Sequence, residues 1–95
     1  MSESPTAAEI AKVRRAYFAG ERLTAMPRPG RKRQIALEQI VQIFEPGRRY
    51  PEVEVNVMLR AIWDDVAAVR RYLVESALLD RAGGEYWRIG GPVDV

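Results

Sequence analysis

Two amphipathic segments meet at a junction of only two residues, Trp63 and Asp64, and a glycine-centred hairpin follows at once; this limits what the 95-residue chain can build. The first segment, from about Glu52, places Val55, Met58, Leu59 and Ile62 on one helical face. The second carries Val66, Val69, Leu73 and Ala77 as an inner stripe. Asp64 suits the N-cap of this second helix, and Asp65 suits the positive end of its dipole. So short a junction makes the helices cross steeply, as in a helix-turn-helix. Upstream, Leu37, Ile40, Val41 and Phe44 mark another helix, stopped by Pro46-Gly47, and Arg48-Arg49-Tyr50 suits a brief strand.

The expected fold is therefore mainly α with a small β-hairpin. It is a winged helix-turn-helix over residues 31–89, preceded by an N-terminal helix and short strand over 5–27 and followed by a loose tail, 90–95, all within one domain, 1–95. In the N-terminal part, Ser4-Pro5-Thr6 opens a helix, with Thr6 and Glu9 at capping-box spacing. Ile10, Val13 and Tyr17 share its inner face and Gly20 ends it. Glu21 to Met26 alternates polar and apolar residues, as a short edge strand does.

The hairpin has two candidate registers. A two-residue turn sets Leu79 opposite Arg88 and mixes apolar with charged residues on one face. A three-residue loop at 82–84 sets Leu79 opposite Trp87, burying Leu79, Trp87 and Ile89 and turning Tyr86 and Arg88 outward. The second gives the cleaner apolar face and is the expected one.

Composition narrows the chemistry. There is no cysteine and no histidine, which removes disulfides, the commonest metal ligands and the usual near-neutral base. Glu52, Glu54, Asn56, Asp64 and Asp65 form the one polar cluster a catalytic reading could use, and helix caps and ion pairs account for all five. No enzymatic activity, metal or cofactor is expected. The first nine residues are polar and acidic, unlike a secretory signal, and no apolar run approaches the roughly 18 residues that span a bilayer. The expectation is a cytoplasmic protein with no membrane partner.

The net charge of +2 conceals an asymmetry. Residues 1–33 carry eight basic and three acidic side chains, whereas 34–95 carry seven basic and ten acidic. Thirteen of the 15 basic residues are arginine, suited to bidentate phosphate contacts, although a GC-rich genome gives the same bias. Arg31, Lys32 and Arg33 open a helix, where cations oppose the macrodipole, so helix stability does not explain them; a bound anion or a solvated basic loop does. On the helix that begins near residue 66, Arg71 points away from the apolar stripe. Arg70 lies nearer it, half-buried beside a carboxylate such as Glu52 or Glu54. Candidate phosphate contacts are Arg28, Arg31, Lys32, Arg33, Arg71 and Arg88. Tyr50, Tyr86, Trp63 and Trp87 could stack on single-stranded bases, with core packing the stronger expectation for both tryptophans.

Tyr50-Pro51-Glu52-Val53-Glu54-Val55-Asn56, Asp64-Asp65, Val69-Arg70-Arg71-Tyr72-Leu73-Val74, Leu78-Leu79-Asp80-Arg81 and Glu85-Tyr86-Trp87-Arg88 resemble an uncharacterised bacterial family, domain of unknown function 2087. The likeness also takes in Phe18, Gly20, Leu23, Pro27 and the basic run at 31–33, so it covers most of residues 17–88. It implies a stand-alone small protein or a module attached to helix-turn-helix regulators, with transcription-associated work. Members of that family tend to carry histidine where this chain has Trp63, so the resemblance implies no histidine-dependent ligand or switch here. The function expected is a winged-helix module that binds double-stranded DNA through phosphates and regulates transcription. The alternative is a winged helix that dimerises or docks on a protein partner without DNA.

Overall fold

The computed structural model describes residues 4–92. Helix α1, Ala7–Tyr17, starts as the spacing predicts: the Thr6 hydroxyl accepts from the Glu9 N–H at 3.1 Å, and the Glu9 carboxylate accepts from the Thr6 N–H at 3.0 Å. The helix ends at Tyr17, before Gly20, because Phe18–Ala19 (β1) turns back at Gly20-Glu21 to pair with Arg22–Leu23 (β2). The strand expected over residues 21–26 is only these two residues long. Leu23 is buried, and its N–H donates to Ile62 O at 2.9 Å.

Helix α2 spans Arg31–Ile40 and tightens into a 3-10 turn, Val41–Ile43. It buries Leu37, Ile40, Val41 and, just beyond, Phe44, the residues whose spacing predicted it. Strand β3 is Arg49–Pro51, followed directly by α3, Glu52–Arg60, and α4, Val66–Glu75. Val55, Leu59, Ile62, Val66, Val69 and Leu73 join one core cluster. Two expectations at the junction are corrected. Asp65, not Asp64, caps α4 by accepting from the Ala68 N–H at 3.1 Å, while Asp64 pairs with Arg22 at 2.6 Å. Ala77 lies outside α4, exposed and left-handed at φ +57°. There Leu78 N–H donates to Leu73 O (2.9 Å) and Ala77 N–H to Val74 O (3.1 Å), the paired bonds of a Schellman cap.

Strands β4, Leu79–Ala82, and β5, Glu85–Arg88, join β3 in an antiparallel sheet of order β3-β5-β4. The expected hairpin register is overturned: Leu79 faces Arg88 and Ala82 faces Glu85, leaving a two-residue turn at Gly83-Gly84. Both glycines have positive φ, 58° and 79°, as the tight turn that matches strand twist requires. Leu79 and Tyr86 face inward and are buried, Trp87 is half-buried on the outer face, and Ile89 is 52% exposed. Tyr86 takes the place expected of Trp87 because its hydroxyl finds a partner, donating to Glu52 Oε1 at 2.9 Å. Opposite Tyr86 across the sheet, Tyr50 is also buried, edge-on to Phe44 with ring centroids 5.1 Å apart. Its hydroxyl accepts from the Glu45 N–H at 2.8 Å.

The tail expected to be loose is tied down as far as Pro92. Gly90 N–H donates to Leu78 O at 3.3 Å, and a Cβ at Gly90 would stand 2.7 Å from Ala77 O, closer than any side chain tolerates. Residues 93–95 of that expected tail lie outside the described residues. Among the described residues there are thus four α-helices and two small antiparallel sheets.

Candidate nucleic-acid interface

The basic run lies inside the first turn of α2. Gly30 is the N-cap and supplies no side-chain acceptor, and the first turn contains no acidic residue. Three consecutive cations therefore surround backbone N–H groups that no local carboxylate neutralises. Their side chains divide into two kinds. Arg31 forms a two-pronged pair with Glu9, Nε to Oε2 at 2.7 Å and Nη2 to Oε1 at 3.0 Å, joining α1 to α2. The Arg31 guanidinium, with the Thr6 N–H, holds the Glu9 carboxyl down to about 2. Arg33 is half-buried; its Nε donates to Pro27 O at 2.9 Å and its guanidinium stacks 4.3 Å from the Tyr72 ring centre, tying the turn to α4. Both are engaged within the fold.

Arg28 and Lys32 are exposed and, among the described residues, make no hydrogen bond or ion pair. They line a shallow groove with Tyr17 and Met26. A second groove beside it is lined by Lys12, Tyr17, Arg31 and Lys32 together with Glu9, which Arg31 neutralises, and this brings the exposed Lys12 of α1 to the same face. Sequence reasoning missed Lys12, because nothing local to α1 says that residue 31 packs beside it. The complementary charges of Glu9 and Arg31 were the available signal. On the other side of the turn, Tyr72 links Arg33 to the exposed Arg71, whose guanidinium lies 5.2 Å from the same ring. Lys12, Arg28 and Lys32 on one side of the turn at residues 27–33, and Arg71 on the other beyond Arg33 and Tyr72, make up a discontinuous cationic ridge.

Arg88 is not on this ridge. In the observed register it points inward, half-buried, donating to Phe44 O at 3.1 Å and Gly90 O at 3.0 Å, and it also reaches Pro92 O. It fastens the tail to the end of the 3-10 turn. The tip of the β4–β5 hairpin is also tied, since Glu52 N–H donates to Gly84 O at 3.0 Å. Arg70 is half-buried as expected, but its partner is the Asn56 side-chain oxygen rather than a carboxylate.

The segment Tyr50 to Asn56 supports the fold. Glu52 receives Tyr86, Glu54 pairs with Arg48 at 3.2 Å, Val55 is in the core, and Asn56 receives Arg70. With Asp64 on Arg22 and Asp65 as a cap, the five polar side chains of the sequence cluster have separate tasks. Among the described residues, no group of three or more Asp and Glu side chains is placed to hold a metal ion. The aromatic candidates for base stacking are also occupied. Tyr50 and Tyr86 are buried, Trp63 packs on the core, and Arg49 covers Trp87 at 4.2 Å from the ring centre.

Among the described residues, no helix is long and apolar enough to cross a membrane. The sequence model of one protein family, DUF2087, described as an uncharacterized protein conserved in bacteria, matches residues 22–88. No curated protein and no solved structure matches the chain.

Proposed function

The chain belongs to this uncharacterised bacterial family, and from that premise we propose that residues 31–89 are a winged helix-turn-helix that binds double-stranded DNA by its phosphates, as a cytoplasmic, transcription-associated module without catalytic activity. Two features support the architecture: the order α2, β3, α3, α4, β4, β5, and a sheet in which the last strand lies between the other two. In this reading α4 is the recognition helix and the β4–β5 hairpin a short wing. The single observation that carries the DNA-binding reading is the cationic ridge of Lys12, Arg28, Lys32 and Arg71. All four are exposed and lack acidic partners, while Arg31 is paired with Glu9 at the surface and Arg33 and Arg88 are engaged within the fold. Duplex DNA fits better than a single strand because Tyr50 and Tyr86 are buried, Trp63 packs on the core and Arg49 covers Trp87, which leaves the half-buried Tyr17 as the aromatic ring lining the cationic grooves, too few for a run of stacked bases.

Fluorescence anisotropy of labelled duplex DNA, titrated with the protein at low and moderate salt, tests the reading. Binding that weakens steeply with salt is expected. No measurable binding at low salt would overturn it.

One observation favours a second reading, docking on another protein. Val53 and Val57, one turn apart on α3, are 71% and 70% exposed, and with Ala61 they edge a shallow apolar hollow. A concentration-dependent rise in mass by sedimentation equilibrium, abolished by Val57→Glu, would favour self-association through this face. A strict monomer would count against it.

A further inference from the structure

We infer that the proposed DNA-binding face engages B-form duplex without reading its sequence, an inference that rests on the DNA-binding reading above and names the class of duplex that face accepts. Base identity in the major groove is read by side chains that donate to or accept from base edges, above all arginine, lysine, asparagine and glutamine near the start of the recognition helix. The start of α4 has been emptied of such groups. Asp64 is held by Arg22 at 2.6 Å, and the Asp65 carboxylate is turned back onto the Ala68 N–H at 3.1 Å. The next outward positions are Ala67, exposed, and Ala68, half-buried, whose methyl groups neither donate nor accept. They offer at most apolar contact with a thymine methyl. Arg70 is committed to Asn56, and the Tyr72 ring lies between the guanidinium groups of Arg33 and Arg71.

Arg71 alone remains as a long exposed donor on this face, and the exposed Glu75 one turn further on repels the phosphates flanking any base it approached. The hairpin tip is Gly83-Gly84, without side chains to insert into a minor groove, and Gly84 O is bound to the start of α3; the exposed Arg81 stands on β4, two residues before that tip. The cations that face outward instead stand on α1 and on the turn and first residues of α2, the placement of backbone clamps rather than base readers. Affinity on this face comes from charge, and one arginine supplies no more than one base pair of preference.

The test is selection of bound duplexes from a pool randomised over more than the domain's footprint, followed by anisotropy on winners and on unselected duplex at matched salt. The expected result is no consensus beyond one base pair and less than about a tenfold gap in affinity, the scale of a single good bidentate contact. Arg71→Ala should weaken both selected and unselected duplexes and close whatever gap in affinity separates them. A consensus of several base pairs, bound a thousandfold or so more tightly than unselected DNA in the manner of a specific regulator, would overturn this inference and leave backbone binding standing. Failure to bind any duplex at low salt would overturn the reading beneath it.

Discussion

Replacing Arg28, Lys32 and Arg71 by alanine, singly and together, separates cations that face solvent from cations that serve the fold. Each phosphate neutralised on duplex DNA contributes about −0.9 to the slope of log affinity against log salt. The ridge has four exposed cations without acidic partners: Lys12, Arg28, Lys32 and Arg71. The slope expected of the wild type is therefore about −3.6, a loss of roughly 150-fold in affinity between about 50 and about 200 mM salt. Each single variant should flatten the slope by about 0.9, and the triple variant should leave a slope of about −1. Arg88→Ala is the internal control. It removes the donor to Phe44 O and Gly90 O, so it should lower the melting temperature and leave the salt slope unchanged. Anisotropy titrations at four or five salt concentrations (about 50 to 200 mM), with circular dichroism to confirm folding, supply the numbers. A wild-type slope near −6 would mean that Arg31, Arg33 and Arg88 also reach phosphate. A triple variant with an unchanged slope would place binding elsewhere on the molecule. Either result refutes the division of cations drawn from the geometry.

Ala77→Gly should stabilise the protein by about 0.5–1 kcal/mol, since the relief of a left-handed alanine exceeds glycine's added unfolded-state entropy. The melting temperature should rise by about 2–8 °C, and a fall would show that the Schellman geometry is wrong. Tyr86→Phe should cost about 1 kcal/mol in urea denaturation by removing the hydroxyl that donates to Glu52, and no loss would mean that the bond contributes nothing. The Glu9 carboxyl is held down to about 2 from an ordinary 4.5, so its contribution is full above about pH 4.5 and lost as pH falls through about 2. Glu9→Gln should therefore melt lower than wild type at neutral pH, with the gap closing as pH drops through that window; a gap independent of pH would exclude the Arg31 pair as its cause.

How far the fold could be read from the sequence depends on whether one residue's neighbours in sequence decide its place. The helices could be read because their periodicity is local: Leu37, Ile40, Val41 and Phe44 are all buried, as are Val55, Leu59, Ile62, Val66, Val69 and Leu73. The hairpin register misled because hydrophobicity alone favours Trp87 over Tyr86 as the inner residue. The deciding fact lies 34 residues away, where Glu52 offers the Tyr86 hydroxyl an acceptor and makes its burial affordable. That one exchange of faces turns Arg88 inward and converts it from an expected phosphate contact into the fastening of the tail. The candidate interface follows the same rule. Composition marks residues 28–33 as basic but is silent on which guanidinium groups are already paired, because Glu9 and Tyr72, which engage Arg31 and Arg33, belong to other helices. A cation's availability is a tertiary property, whereas its presence is a sequence property. The useful reading of a basic run is therefore the number of its charges left over once the acids and rings brought beside it by folding have taken their share. Here that subtraction removes Arg31, Arg33 and Arg88 from the expected six and adds Lys12, which none of its neighbours along the chain singles out.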